Sequence, residues 1–176
     1  VRPDSPSLGP ADAKVTVVEF LDPECESCAA VAPQVKSLLK EYDGRVRFVV
    51  RHMPLHRNAK MAAQYIEAAG EQGKYWEMWD ALFTNQTEWS AASAADRNGF
   101  FEKYATAVGV KLEKFRTDYA SEAVSKKVKF DQALGKVAGV TGTPTLFING
   151  KQVDGGKINS TEGMKTQIDE ALKEVE

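Results

Sequence analysis

Cys25 and Cys28, the two cysteines of the chain, are separated only by Glu26 and Ser27 and stand where one residue pattern gives way to another. Residues 15–21 (VTVVEFL) form an apolar run rich in β-branched side chains, the composition of a buried strand. Residues 25–43 then read as a helix, interrupted by Pro33 and closed by Asp43-Gly44. A proline well inside a helix removes a backbone donor, so Pro33 predicts a kink. A second strand follows at residues 45–53, with 46–50 as its core. Two strands joined through one helix predict a parallel βαβ unit with a right-handed crossover.

Beyond residue 56 the pattern changes. Up to about residue 138 there is no proline, and apolar residues recur at helical spacing, as in Ala62, Tyr65, Ile66, Ala69 and in Trp76, Trp79, Leu82, Phe83. Gly70, Gly73 and Gly109 mark breaks and residues 90–93 a loop, which predicts four or five short helices. Strand character returns at residues 145–148 and 151–153. Asn149-Gly150 between these runs is a hairpin signal. A last helix spans residue 160 or 161 to about 174, with Thr161 and Glu162 at its start and Ile168 and Leu172 on its buried face. Residues 1–12, with Pro3, Pro6, Gly9 and Pro10, read as an extended leader.

Composition narrows the class. A chain of 176 residues with 43% apolar and 27% charged residues suits one domain with a sizeable core. The net charge of −2 is made of dispersed charges with no basic patch, which argues against nucleic acid. No apolar run approaches the roughly 20 residues that cross a bilayer. Two cysteines leave no thiol for a separate structural disulfide, whereas small secreted domains stapled by disulfides carry more. The chain begins at Val1, without an initiator Met or a signal peptide, as expected of an exported product after trimming or of a trimmed boundary.

Two thiols at a strand-to-helix junction predict thiol–disulfide exchange, in which a thiolate attacks a disulfide sulfur. Cys25 precedes the helix and is expected to be the more exposed, attacking thiolate; Cys28 in the first turn is the resolving thiol. Amides at a helix start favour an anion by ~0.3–1 kcal/mol, up to ~2 when partly buried, enough to lower a thiol pKa by roughly one unit. Glu24, Glu26 and Ser27 are expected to tune the couple. A carboxylate at ~4 Å disfavours the thiolate by ~1 kcal/mol in water. The two acids therefore predict a couple more reducing than the roughly −120 mV of the strongest oxidants. Glu19, on an otherwise apolar strand, is expected to lie inward beneath the dithiol and to accept the proton of Cys28. Its alternative is an exposed edge position. Thr143-Pro144, just before a strand, marks a special turn. A cis bond there would offer the Thr143 backbone to an extended substrate, against an ordinary trans loop proline.

These residues resemble the thioredoxin superfamily. VVEF at 17–20, the Cys25–Cys28 pair, Pro33, and GVTGTPTL at 139–146 are similar to its buried acid, dithiol, kinking proline and cis-proline. The long helical stretch between dithiol and Pro144 resembles the DsbA-type oxidoreductases, as do Pro54-Leu55-His56, residues 59–69 and Gln72-Gly73-Lys74-Tyr75-Trp76. The resemblance implies an α/β thioredoxin-like fold formed by residues 13–57 and 139–176, with a helical domain, residues 58–138, inserted between the halves of the sheet. It implies a cis Pro144, a periplasmic or otherwise extracytoplasmic setting, and substrate contact through Thr143 and Pro144. Glu26-Ser27 departs from the Pro-His pair of strong oxidases, and Thr143 is closer to the isomerase and reductase branches.

Other readings compete. A zinc site would need His52 and His56 to complete the cysteine pair, across a strand and at an unusual distance; these histidines read instead as a strand-end and a helix-start residue. Trp76, Trp79 and Trp89 read as core rather than a peptide groove, and Met53, Met61 and Met78 as packing residues. Lys126, Lys127 and Lys129 read as a solvated helix face. The expectation is a protein thiol–disulfide oxidoreductase, foremost a dithiol oxidase of moderate potential, with a reductase or isomerase second and a non-enzymatic chaperone or binding module third. It requires no metal or organic cofactor. Its partners are cysteine-containing proteins and a redox-regenerating protein, either soluble or membrane-bound. The short leader, too small for a dimerisation domain, predicts a monomer with weak isomerase activity.

Overall fold

The computed structural model describes residues 4–175. In chain order the strands and helices are β1 (Ser7–Leu8), β2 (Val15–Leu21), α1 (Glu26–Glu41), β3 (Val46–His52), α2 (Ala59–Gly70), α3 (Tyr75–Thr84), α4 (Gln86–Ala91), α5 (Ala94–Ala107), α6 (Leu112–Tyr119), α7 (Glu122–Val137), β4 (Thr145–Ile148), β5 (Lys151–Gln152) and α8 (Thr161–Val175). The sheet has five strands in the order β1-β3-β2-β4-β5. β2 and β3 run parallel, in register from Val15↔Val46 to Leu21↔His52. β4 pairs antiparallel with the other edge of β2. The central strand is thus β2, and α1 leaves from its C-terminal end.

Alternation along β2 assigns two faces. Val15, Val17 and Leu21 join the large core with residues of α1, α3 and α8, among them Val31, Val35, Trp79, Met164 and Ile168. Glu19 shares that face, its strand partners being Val50 and Leu146. Phe20 lies on the other face, clustered with Met53 and Val140. There α7 comes close at Gly135, where a Cβ would stand 2.8 Å from the Met53 sulfur and 3.1 Å from the Phe20 ring. A larger residue there would force the Met53 and Phe20 side chains to shift.

Local chemistry accounts for the hairpin. Asn149 and Gly150 have φ of 47° and 81°, both positive as a type I′ turn requires. Ser160 rather than Thr161 caps α8: its hydroxyl accepts from the Gly163 amide at 3.1 Å. The thioredoxin-like sheet and intervening helices expected from the sequence are present. Several finer expectations are extended or corrected. Within the extended leader, residues 7 and 8 add a pairing that the sequence did not announce: they form edge strand β1 against Phe48 and Val49, and the Val50 amide donates to the Pro6 carbonyl. A two-residue strand carries no periodicity to read. Between β3 and β4 lie six helices rather than four or five, because Ser90 and Ala91 continue α4 and the loop narrows to Ala92 and Ser93. Lys127 is not on a solvated face. It is half-buried and pairs with Glu71 at 2.6 Å and Glu67 at 3.6 Å.

Candidate active site

β2 delivers Leu21 to the end of the sheet, and the chain turns through Asp22, Pro23 and Glu24 into Cys25, which caps α1 with extended backbone (φ −77°, ψ 121°). Cys28 falls in the first turn and faces the core. Both are free thiols; Cys25 keeps 7% of its surface exposed and Cys28 1%. The Thr143–Pro144 peptide bond is cis, and Cys25 Sγ lies 3.3 Å from the Thr143 carbonyl oxygen, to which it donates when protonated. The loop before β4 therefore borders the first cysteine, although it is distant in sequence.

The two sulfurs are driven apart in acidity. Cys25 is lowered to about 5, chiefly because the Cys28 thiol donates to its anion. Burial opposes this, while the Thr143 side chain and the amides of Cys28 and Ser27 add to it. The helix-start amides expected from the sequence thus contribute, but the neighbouring thiol contributes more. Cys28 is pushed far up by the same hydrogen bond, by burial and by the charge of Glu19. At neutral pH one sulfur is a thiolate and its neighbour keeps the proton.

Glu19 is sealed beneath this pair, 1% exposed. Burial, and secondarily the Cys25 charge, push it up to about 8. Its Oε2 has no hydrogen-bond partner among the described residues. A carboxyl with that acidity holds or yields a proton near physiological pH.

The two acids of the dithiol loop are placed differently from one another. Glu24 is turned to the start of α2, accepting from the Asn58 amide and side-chain nitrogen, each at 2.6 Å. Glu26 is exposed at the first position of α1. Ser27 is exposed too and favours the Cys25 anion through its backbone N–H. Two further residues escape sequence reasoning. Asp22, fully buried, accepts from the amides of Glu24, Leu55 and His56 and lies 2.9 Å from His56 Nδ1. Gln86, opening α4, donates to the carbonyls of Pro23 and Cys25 at 2.8 and 3.0 Å, bracing the dithiol loop from the helical block. Asp22-Pro23 carries only a turn signal, and nothing local links it to position 56. His52 is a buried strand end, held by Glu67 at 3.0 Å and Tyr75 at 3.2 Å. Trp79 and Trp89 are core, and Trp76 packs against it.

The sequence matches the thioredoxin family profile over residues 2–170. The chain belongs to the thioredoxin family. It is similar to a thioredoxin-like oxidoreductase from Silicibacter pomeroyi, with 30% identity and a TM-score of 0.80, covering 98% of this chain and 94% of that one. It is also similar to alpha-DsbA1 from Wolbachia pipientis, with a TM-score of 0.84 over 99% and 94% of the two chains; at 19% identity this is a likeness of fold. The fold is DsbA-like, a thioredoxin sheet with helices between β3 and β4. A curated relative, the Na(+)/H(+) antiporter NhaA 3 of Salinispora tropica, is 39% identical over 88% of this chain but only 23% of its own length. The chain thus spans about a quarter of that relative. Among the described residues no helix is long and apolar enough to cross a membrane.

Proposed function

We propose that this chain is a protein thiol–disulfide oxidoreductase that exchanges a Cys25–Cys28 disulfide with cysteines of other proteins, working as a dithiol oxidase of moderate potential. One arrangement carries the reading: two free thiols at the start of α1, with Cys25 Sγ against the cis Thr143–Pro144 loop and Cys28 turned to the core that holds the buried Glu19, an environment that lowers Cys25 to about 5. A substrate thiolate attacks Cys25 sulfur. The Cys25–Cys28 bond breaks and Cys28 leaves as a thiolate, taking a proton from Glu19. A second substrate thiolate attacks the substrate sulfur of the mixed disulfide, and Cys25 leaves as a thiolate. Two electrons pass to the cysteine pair and the substrate keeps the disulfide. In the reverse direction Cys28 resolves the mixed disulfide and Glu19 accepts its proton.

A favoured thiolate stabilises the reduced form and makes the disulfide oxidising. A nucleophile at about 5 stands between the ~7 of thioredoxin and the ~3.5 of the strongest oxidant of this fold. The couple is therefore expected between about −270 and −120 mV. Thr143 and Pro144, beside Cys25, serve as the substrate-binding edge and read backbone rather than sequence. Such an oxidase works where disulfides persist, in the periplasm or another extracytoplasmic compartment. Each turnover leaves the pair reduced, so a regenerating protein must reoxidise it. The helical block at residues 58–138 acts as an insertion that braces the dithiol loop through Gln86. The antiporter name belongs to a far longer protein, and no transport is assigned to this chain.

The test is oxidation of a reduced, unfolded protein substrate, together with a redox titration against glutathione. Wild-type turnover with complete loss in Cys25→Ser is the expected result. A Cys25→Ser protein that still drives refolding would mark a binding module instead.

A further inference from the structure

The loop between β3 and α2 places a histidine against the residue that anchors the dithiol. Asp22 accepts the Cys25 amide on its backbone carbonyl at 3.1 Å. One carboxylate oxygen takes the Glu24 amide at 2.7 Å. The other takes the amides of Leu55 and His56 at 2.7 and 2.9 Å and lies 2.9 Å from His56 Nδ1. Glu24 closes the same joint from the other side through Asn58. The cysteine and the imidazole thus hang from one buried residue, the first from its main chain and the second from its side chain. With the Asp22 carboxylate accepting, Nδ1 carries the hydrogen and Nε2 is left to take a second proton. The His56 side chain is 53% exposed, so that proton exchanges with solvent.

We propose that His56, oriented by Asp22, is a positioning residue whose imidazolium sets the thiolate population of Cys25 and with it the redox potential of the dithiol. The inference rests on the dithiol-exchange reading above. Asp22 contacts the ring, and the charges of Glu24 and Cys25 from the dithiol loop act on it, with Arg57 next in the chain and exposed. Asp22 raises His56 above its ordinary value against the opposing effect of burial, and the charges of Cys25 and Glu24 act in the same upward sense. Coupling between two titrating sites is mutual: a thiolate that favours the imidazolium is favoured by it to the same degree. The bland reading, a loop histidine that only closes the turn, predicts no such coupling.

The experiment compares wild type with His56→Gln, which keeps a donor for Asp22, and His56→Arg, which keeps a charge that does not titrate. Cys25 alkylation is followed against pH, and the glutathione equilibrium is measured from pH 5.5 to 9. In His56→Gln the Cys25 titration moves up. At the acid end its equilibrium shifts about two- to fivefold toward the disulfide, the scale of a half-exposed ion pair. Fivefold is ~20 mV in the reducing direction. The difference from wild type closes as pH rises through the imidazole titration, whereas the difference between His56→Arg and His56→Gln keeps its acid-end size to the alkaline limit. Coincident profiles for wild type and His56→Gln, with exchange intact, would overturn the proposal. A wild-type protein without exchange would fail the functional reading instead.

Discussion

Glu19 and Asp131 are both carboxyls sealed from water, on opposite faces of the same strands, and their surroundings could hardly differ more. Asp131 on α7 meets Arg51 Nη1 at 2.8 Å and the His52 amide at 3.3 Å. Glu19 on β2 has apolar strand neighbours, two sulfurs nearby and an oxygen with no hydrogen-bond partner among the described residues. Burial of an acid is therefore no mark of function by itself. Where a fixed cation and an amide receive the charge, the carboxylate fastens a helix to the sheet. Where burial is left uncompensated, the acid is driven toward neutral pH and becomes a proton carrier.

Breaking the structural side of this contrast is expected to have the largest effect. Arg51→Met leaves Asp131 buried without its cation, and such one-sided removals destabilise by about 3–5 kcal/mol. Urea unfolding should record that loss while the folded protein exchanges disulfides at close to the wild-type rate. A cost under about 1 kcal/mol would show that Asp131 is compensated by other groups, and the contrast with Glu19 would fall.

Glu19→Gln attacks the other side. It removes the proton carrier at little change of volume, and proton transfer by a positioned acid or base contributes about a hundredfold or more. Decay of the Cys25 mixed disulfide in stopped-flow should slow by about that factor, while alkylation of Cys25 remains fast. Stability carries a second signature. Glu19 binds a proton in the folded state that the unfolded chain releases between its ordinary 4.5 and about 8, so its contribution falls as pH rises through that window. Cys25 has the opposite sign: lowered from 9 to about 5, it makes the reduced protein more stable as pH rises through that range. The disulfide form lacks the thiolate and should show the Glu19 decline together with a smaller one of the same sign from His56, which Asp22 raises above its ordinary 6.5. In Glu19→Gln the decline that begins at 4.5 should vanish and only the His56 part, above its ordinary value, should remain; a decline that still starts near 4.5 would assign it to another group.

Local pattern explains what the sequence made legible. VTVVEFL, the cysteine spacing and Asn149-Gly150 each act through neighbours within a few residues, and the β2–α1–β3 unit and the β4–β5 hairpin follow from them. The inward placement of Glu19 follows from strand alternation, since it shares a face with Val17 and Leu21. What escaped reading depends on pairing at long range. The hold of Asn58 on both oxygens of Glu24 is invisible in the sequence, where Glu24 shows only as a charge beside Cys25. Asp22 reads as a turn residue until the 55–56 amides converge on it. Lys127 belongs to a basic run in sequence but to Glu67 and Glu71 in space. Gln86 has no local signal at all, because its partners are two carbonyls of the dithiol loop.

The smallest expected effect belongs to Glu26, adjacent to Cys25 in sequence like Glu24 but, unlike it, exposed to water. It opens α1, where a carboxylate gains ~0.3–1 kcal/mol from the helix amides. The same charge disfavours the neighbouring thiolate, by ~1 kcal/mol if ~4 Å away in water. Glu26→Gln should therefore favour the Cys25 thiolate and the reduced form, moving the couple in the oxidising direction. An energy of ~1 kcal/mol is about fivefold in the glutathione equilibrium, or ~20 mV. Because Glu26 is solvated, the shift should shrink in 1 M salt, where the screening length is ~3 Å. Glu19, shielded from ions by the sheet and α1, should show no such salt dependence in its effect on resolution. If Glu26→Gln moved the couple by more than tenfold, independent of salt, charge at the surface would rival charge in the core, and the distinction between solvated and buried acids would no longer account for this site.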